Sequence, residues 1–194
     1  MKLKRIFALA AAGVLAVSML TGCFGSGNGN TVDVVSDFVT TLNGATNGSP
    51  EVKSNSRLTN AVRRVATTLT ATQAGKEGLA DQEILDRVRD ITNTAKKPEL
   101  DQPTAWTPWN SNAKFTTVRI YDADNVTVAN LANDVKDDIF DVIQLGKATT
   151  GTVFTNSYDV YASAVEVTIP GEGDAVDVNV YVVGIQIDRT ATAK

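Results

Sequence analysis

The sequence has no histidine and a single cysteine, Cys23. The first absence excludes Ser-His-Asp and Cys-His catalytic arrangements and every histidine-ligated metal site. The second excludes an intrachain disulfide framework and cysteine-rich zinc sites. Aromatic residues are few, 6% of 194, and the formal net charge is −4, so no nucleic-acid partner is expected. With 43% hydrophobic and 21% charged residues, the composition is that of an ordinary globular chain rather than a disordered one.

What is present begins with the leader. Lys2, Lys4 and Arg5 form a positive segment, Ile6 to Leu20 is an uncharged apolar run, and Leu20-Thr21-Gly22-Cys23 follows. The run is shorter than the ~20 residues a membrane-spanning helix needs, which favours a signal-peptide core. Leu20-Thr21-Gly22-Cys23 resembles the lipobox of bacterial lipoproteins. The resemblance covers the leader alone. It implies cleavage before Cys23 and acylation of the Cys23 thiol and new N-terminus, with palmitate-like chains as the membrane anchor. At ~0.8 kcal/mol per buried CH₂, two chains suffice for stable attachment. Loss of residues 1–22 takes three positive charges and no negative ones. The mature chain then sets 15 Lys+Arg against 22 Asp+Glu, a net charge of −7. Anionic lipid headgroups would weakly repel such a body, so the acyl chains, not surface charge, would hold it at the membrane.

Three segments follow: a signal peptide over 1–22, the lipidated Cys23 with a Gly-rich linker over 23–30, and a single domain over 31–194. The seven linker residues Phe24–Asn30 have a root-mean-square span of roughly 15 Å. Apolar spacing predicts helices over 31–42, 56–73, 81–96 and 126–145. Asn43-Gly44 ends the first. Asp81 caps the third, with Pro98 beyond it, and Gly146 ends the last. Strands are expected over 115–121, 152–154, 158–169 and 176–188. The fold class is therefore α+β: about four helices packed on an antiparallel sheet of three to four strands that ends in a long hairpin. Residues 31–97 form the helical part and 114–190 the strand-helix-strands part. The order of the second part resembles that of cystatin-like α+β rolls, at the level of fold alone.

The hairpin carries more information. Pairing Ile169 with Val176 sets Val167 and Val165 against Val178 and Val180 on one face, near the turn. Away from the turn the other face is apolar, with Ala162, Val160, Val183, Ile185 and Ile187. The two ends should therefore bury opposite faces, switching around Ser163 and Gly184, where a bulge or a close backbone approach is expected. Helices covering both faces account for this pattern. The functional alternative is that the turn-proximal valines form an open docking strip.

Candidate sites are sparse. Trp106 and Trp109, with Asn110 and Asn112, lie in a polar segment and suit stacking on a sugar or a partner side chain, or else plugging of the core. Asp122 and Asp124, between a strand and a helix, offer oxygen ligands to Ca²⁺ or Mg²⁺. The spacing fails the EF-hand loop, and short polar residues at a helix start usually cap N–H groups instead. Asp134, Asp138 and Asp141 share a helix face and read as solvated, with Lys136 beside them. Ser111-Asn-Ala-Lys114 matches Ser-x-x-Lys but precedes a strand and lacks the companion motifs. Lys53, Arg57, Arg63 and Arg64 form a basic cluster that would pair with carboxylates or meet an anionic polymer.

These features favour a lipid-anchored protein on the extracytoplasmic face of a bacterial cell membrane. In a cell with an outer membrane, Phe24 is not the Asp associated with inner-membrane retention. Its expected role is to bind or organise, without catalysis and without a cofactor. The membrane is reached through the lipid at Cys23, and an envelope protein or glycan is the partner. The rival readings are a small carboxylate- or metal-dependent envelope hydrolase and a structural or assembly subunit.

Overall fold

The computed structural model describes residues 30–75, 78–94, 111–149, 153–171 and 175–194. Their elements are, in order, β1 (Asn30–Asp33), α1 (Val35–Ala45), β2 (Val52–Lys53), α2 (Ser56–Ala66), α3 (Ala71–Ala74), β3 (Gly78–Leu79), α4 (Gln82–Thr92), β4 (Ala113–Asp122), α5 (Val128–Thr149), β5 (Phe154–Ile169) and β6 (Val178–Ala193). The fold is α+β, as the sequence predicts. The sheet runs β1-β5-β6-β4-β3, antiparallel throughout, with β2 joined to β5 by a short parallel pairing.

The long hairpin β5–β6 organises everything else. It pairs Ile169 with Val178, Val167 with Val180, Val165 with Val182 and Ser163 with Gly184. The register thus differs by two residues from that expected. Asp177 is the reason: its carboxylate accepts the Gly171 N–H at 3.1 Å and draws Val176 and Asp177 into the turn. Val176 is left 85% exposed. Because side chains alternate with a period of two, a two-residue shift keeps every residue on its expected face.

The faces are buried as the alternation requires. Val165, Val167, Ile169, Val180 and Val182 pack with Val118 and Ile120 under α2, α3 and α4. Beyond the switch, Val160, Ala162, Ala164, Val183, Ile185 and Ile187 pack on the opposite face with Phe38 and Leu42 of α1 and Leu131, Val135 and Ile139 of α5. The turn-proximal valines are therefore core, and the docking-strip alternative is overturned. Each fully buried Val or Leu side chain contributes about 1.5–3 kcal/mol of transfer free energy.

Several boundaries move for local reasons. The predicted helix over 31–42 begins instead with a strand. Residues 30–33 pair with Thr168–Val165 of β5, and the Asp33 carboxylate caps the Val35 N–H at 3.0 Å to start α1. Gly44 lies inside α1, and the chain turns at Asn47 and Gly48, whose φ values are 52° and 69°. The expected 56–73 helix is two. The Thr70 hydroxyl and the Gln73 side chain form a reciprocal capping box that starts α3. Asp81 occupies the N-cap of α4, which stops at left-handed Asn93. Gly146 is inside α5, which continues to Thr149. Of the short strand expected at 152–154, Phe154 opens β5 and Val153 lies in a turn, while Thr152 lies outside the described residues.

Candidate functional site

Strand β6 continues its alternation past Ile185 and Ile187, so the next inward position is a cation, Arg189. It stands between Ala113 of β4 and Tyr158 of β5, at the end of the sheet far from the hairpin turn. Only 3% of Arg189 is exposed. Its Nε donates to the Ser111 carbonyl at 3.1 Å, and its guanidinium carbon lies 5.7 Å from the centroid of the Phe115 ring. Burial draws the Arg189 pKa below its usual value, opposed by Tyr158. Burial also raises the Tyr158 pKa, opposed first by Arg189 and then by Asn156. Asn156 occupies the next rung on the same face. Its amide nitrogen and oxygen and the Tyr158 hydroxyl are all sealed from solvent. Asn156 lies within hydrogen-bonding reach of the Tyr158 hydroxyl, and none of these atoms has another well-directed partner among the described residues. Arginine, tyrosine, asparagine and phenylalanine thus converge on one corner of the sheet.

On the reverse face, the same rungs are polar. Asp159 and Asp188 stand directly opposite one another. Like charges so placed are unfavourable, and lysines offset them. Lys53 Nζ lies 3.2 Å from Asp159, and Lys114 Nζ lies 3.0 Å from Asp188. The hydrogen bond to Asp159 is the main reason the Lys53 pKa is raised. Ser111 and Lys114, the Ser-x-x-Lys match, are engaged with Arg189 and Asp188 respectively.

At mid-sheet, one rung from the Ser163–Gly184 switch, Arg119 of β4 meets Asp138 of α5 at 2.7 Å, with side chains 18% and 21% exposed. Asp138 therefore faces the sheet, not solvent, a correction to the expected acidic face. Asp134 remains exposed, and Asp137 pairs with Lys136 at 3.3 Å. Of the basic cluster, Arg63 binds Asp33 at 2.5 Å.

Asp122 and Asp124 form a turn lock. Asp122 accepts from the Asp124 N–H at 2.9 Å and from Asn125 Nδ2 at 2.5 Å. Asp124 accepts from Asn179 Nδ2 at 3.1 Å, and Asn179 Oδ1 accepts from the Thr168 hydroxyl at 2.8 Å. The network ties the β4–α5 turn to the hairpin. Among the described residues no group of three or more Asp, Glu or Cys side chains is placed to hold a metal ion. Trp106, Trp109 and Asn110 lie outside the described residues, as does Cys23. Asn112 is placed: its Oδ1 accepts the Ala191 N–H at 2.9 Å and fastens the start of β4 to β6.

Sequence reasoning missed Asn156, Tyr158 and Arg189 as a group. The signal was the parity of β6: Arg189 follows Ile185 and Ile187 at a spacing of two, and the predicted strand stopped one residue short of it. Comparison with protein-family models, with curated proteins and with solved structures finds no match to this chain. No helix among the described residues is long and apolar enough to cross a membrane.

Proposed function

We propose that the chain is a bacterial lipoprotein, anchored through acyl chains on Cys23 at the extracytoplasmic face of a membrane, whose domain binds or organises a component of the envelope without catalysis. The observation that carries this reading is Leu20-Thr21-Gly22-Cys23, set directly behind a basic segment and an uncharged apolar run. Geometry supports it in one respect. The chain joins the sheet at Asn30, opposite Thr168 and next to the hairpin turn. A tether from Cys23 would enter there. Arg189 lies eleven residues beyond Val178, the first residue of β6, which at about 3.3 Å per residue puts its corner roughly 36 Å from the turn. A short linker would leave that end clear of the bilayer for a ligand or partner.

Intact-mass spectrometry of protein from the native host tests the anchor. The expected species starts at Cys23 and carries a diacylglycerol, and the Cys23→Ala variant leaves the membrane fraction. An unmodified thiol, or a leader still attached, overturns the proposal.

A further inference from the structure

Strand β5 has an outer edge that is only partly used. β1 covers Val165 to Thr168, and β2 covers Val160 and Tyr161. The parity of the ladder fixes which backbone groups face that edge. The Lys194 N–H donates to the Val153 carbonyl, so odd-numbered residues of β5 bond to β6. The Val34 N–H donates to the Ala164 carbonyl, so even-numbered residues face outward. The N–H and C=O groups of Phe154, Asn156 and Tyr158 therefore point away from the sheet, and among the described residues no strand pairs with them. The outer edge of β4 differs. There the Val118 carbonyl accepts from the Ala80 N–H, the Thr116 carbonyl accepts from Arg89 Nε, and β3 covers Arg119 and Ile120. Phe154-Thr-Asn-Ser-Tyr158 has no such cover, and it holds no charge, proline or glycine to blunt it.

We propose that this edge pairs with the same edge of a second copy of the chain, antiparallel, about a two-fold axis at Asn156. The free stretch sets the register. Asn156 is its midpoint, and a shift toward β2 would run the second strand into Val52, which already lies opposite Val160. Phe154 then stands opposite Tyr158 of the second copy, and Asn156 opposite Asn156. Each pair exchanges two backbone hydrogen bonds. Even-numbered side chains share one face, so an aromatic pair lies on either side of a central amide pair, and the edge is its own complement. Charge agrees. Asp159 falls opposite Val153 of the second copy, which is joined in its own sheet to Lys194 on the same rung. The axis is normal to the sheet, so the Asn30 entry points of the two copies lie at opposite ends of the dimer. Two anchors in one membrane would then hold the paired sheet along the bilayer, whereas a single copy would stand on its tether. So short a pairing is weak in solution, and confinement to one membrane would raise its occupancy.

The pairing does not depend on the anchor, and its test reads association rather than lipid. Sedimentation velocity of the full chain in detergent should show a monomer–dimer equilibrium that shifts with concentration. Asn156→Pro removes an N–H that β6 does not use, and Asn156→Lys sets two like charges together on the axis. Both should abolish the dimer with the far-UV circular dichroism unchanged. In a Cys23→Ser background, Asn156→Cys should form an interchain disulfide under mild oxidation, because directly paired residues have the Cα spacing the bond needs. Ser157→Cys should not, although Ser157 is exposed and Asn156 half-buried, because it lies on the other face and opposite Thr155. A chain that is monomeric at every concentration overturns the proposal. So does a dimer that neither Asn156 variant weakens, or cross-linking as ready at position 157 as at 156. Slow amide exchange at Asn156 and Tyr158 in a monomer means that another part of the same chain covers the edge, and overturns it too. A chain lipidated at Cys23 that stays monomeric refutes the pairing alone. A chain with bare Cys23 that dimerises through Asn156 refutes the anchor alone.

Discussion

Gly184 of β6 lies directly beneath Val62 of α2: a Cβ at this position would press into Val62 Cγ2 and stand 3.2 Å from Leu58 Cδ1. α2 packs closely on the sheet here, and Gly184 pairs with Ser163 on the rung where the hairpin changes its buried face. The missing side chain lets the helix pack over the switch. Gly184→Ala is therefore expected to destabilise the fold by about 1–3 kcal/mol through overpacking. Val62→Ala makes room for the added methyl, so the double variant should be more stable than the sum of the single losses implies. Urea midpoints for the four species measure the coupling. Strict additivity would mean that the helix does not press on Gly184.

The same rung shows how far the sequence could be read. Alternation of Val165, Val167, Val180 and Val182 identified one buried face, and Ala162, Ala164, Val183 and Ile185 the other, because each apolar side chain must be covered whatever the turn does. The turn set the register, and its length depended on the Asp177 carboxylate reaching the Gly171 N–H, a contact that no periodicity announces. The four-residue β1 and the two-residue β2 and β3 were equally silent, since strands so short carry no alternation to detect. The split between α2 and α3 was legible in Thr70-Ala-Thr-Gln73, a capping-box spacing hidden by the continuing apolar stripe. The Arg119–Asp138 pair joins residues far apart in sequence and was hidden in a helix face that looked merely acidic. The corner around Arg189 combined side chains from two strands whose register was not yet fixed.

Asn43 read as the end of a helix, and the structure gives it a second duty. Its Nδ2 donates to the Val52 carbonyl at 2.7 Å, and its Oδ1 accepts the Val52 N–H at 2.8 Å. This two-bond clasp holds β2 against the outer edge of β5 at Val160. Asn43→Ala should cost about 1–2 kcal/mol, since two backbone groups lose their partners. The loss should be local. Amide hydrogen exchange is expected to accelerate at Val52 and to change little at Val183, in the middle of the sheet. A uniform acceleration across both would contradict the clasp.

The ion pair between Arg119 and Asp138 joins β4 to α5 with both side chains largely removed from water. Removing one partner leaves a poorly solvated charge behind, so Asp138→Ala and Arg119→Ala are each expected to cost about 1–3 kcal/mol. Replacing both, as Arg119→Met with Asp138→Leu, removes the charges together and should restore most of the stability. A double-mutant cycle from urea denaturation checks this. A double variant as unstable as the summed singles would show that the two side chains act separately.

Alkaline pH should loosen the fold through its tyrosines. Burial raises the pKa of Tyr121, Tyr158 and Tyr181, each above the usual value of 10.0. For Tyr121, the Asp134 and Asp138 carboxylates push the same way while Arg119 opposes. For Tyr181, Glu166 adds to burial. A raised phenol pKa means that between the unfolded and folded values the native state holds the extra proton. Stability is then fully present below about pH 10 and falls as pH rises through the folded pKa. Lys53, raised by its bond to Asp159, titrates with the same sign but is exposed at the surface, where such pairs contribute little. Urea midpoints should therefore be flat toward neutrality and decline above about pH 10. Phenolate absorbance of the folded chain should show a fraction of its tyrosines ionising late. Tyr121→Phe removes one of these groups and should make the alkaline decline shallower. An unchanged slope in that variant would mean that Tyr121 ionises in the folded chain as it does in the unfolded one.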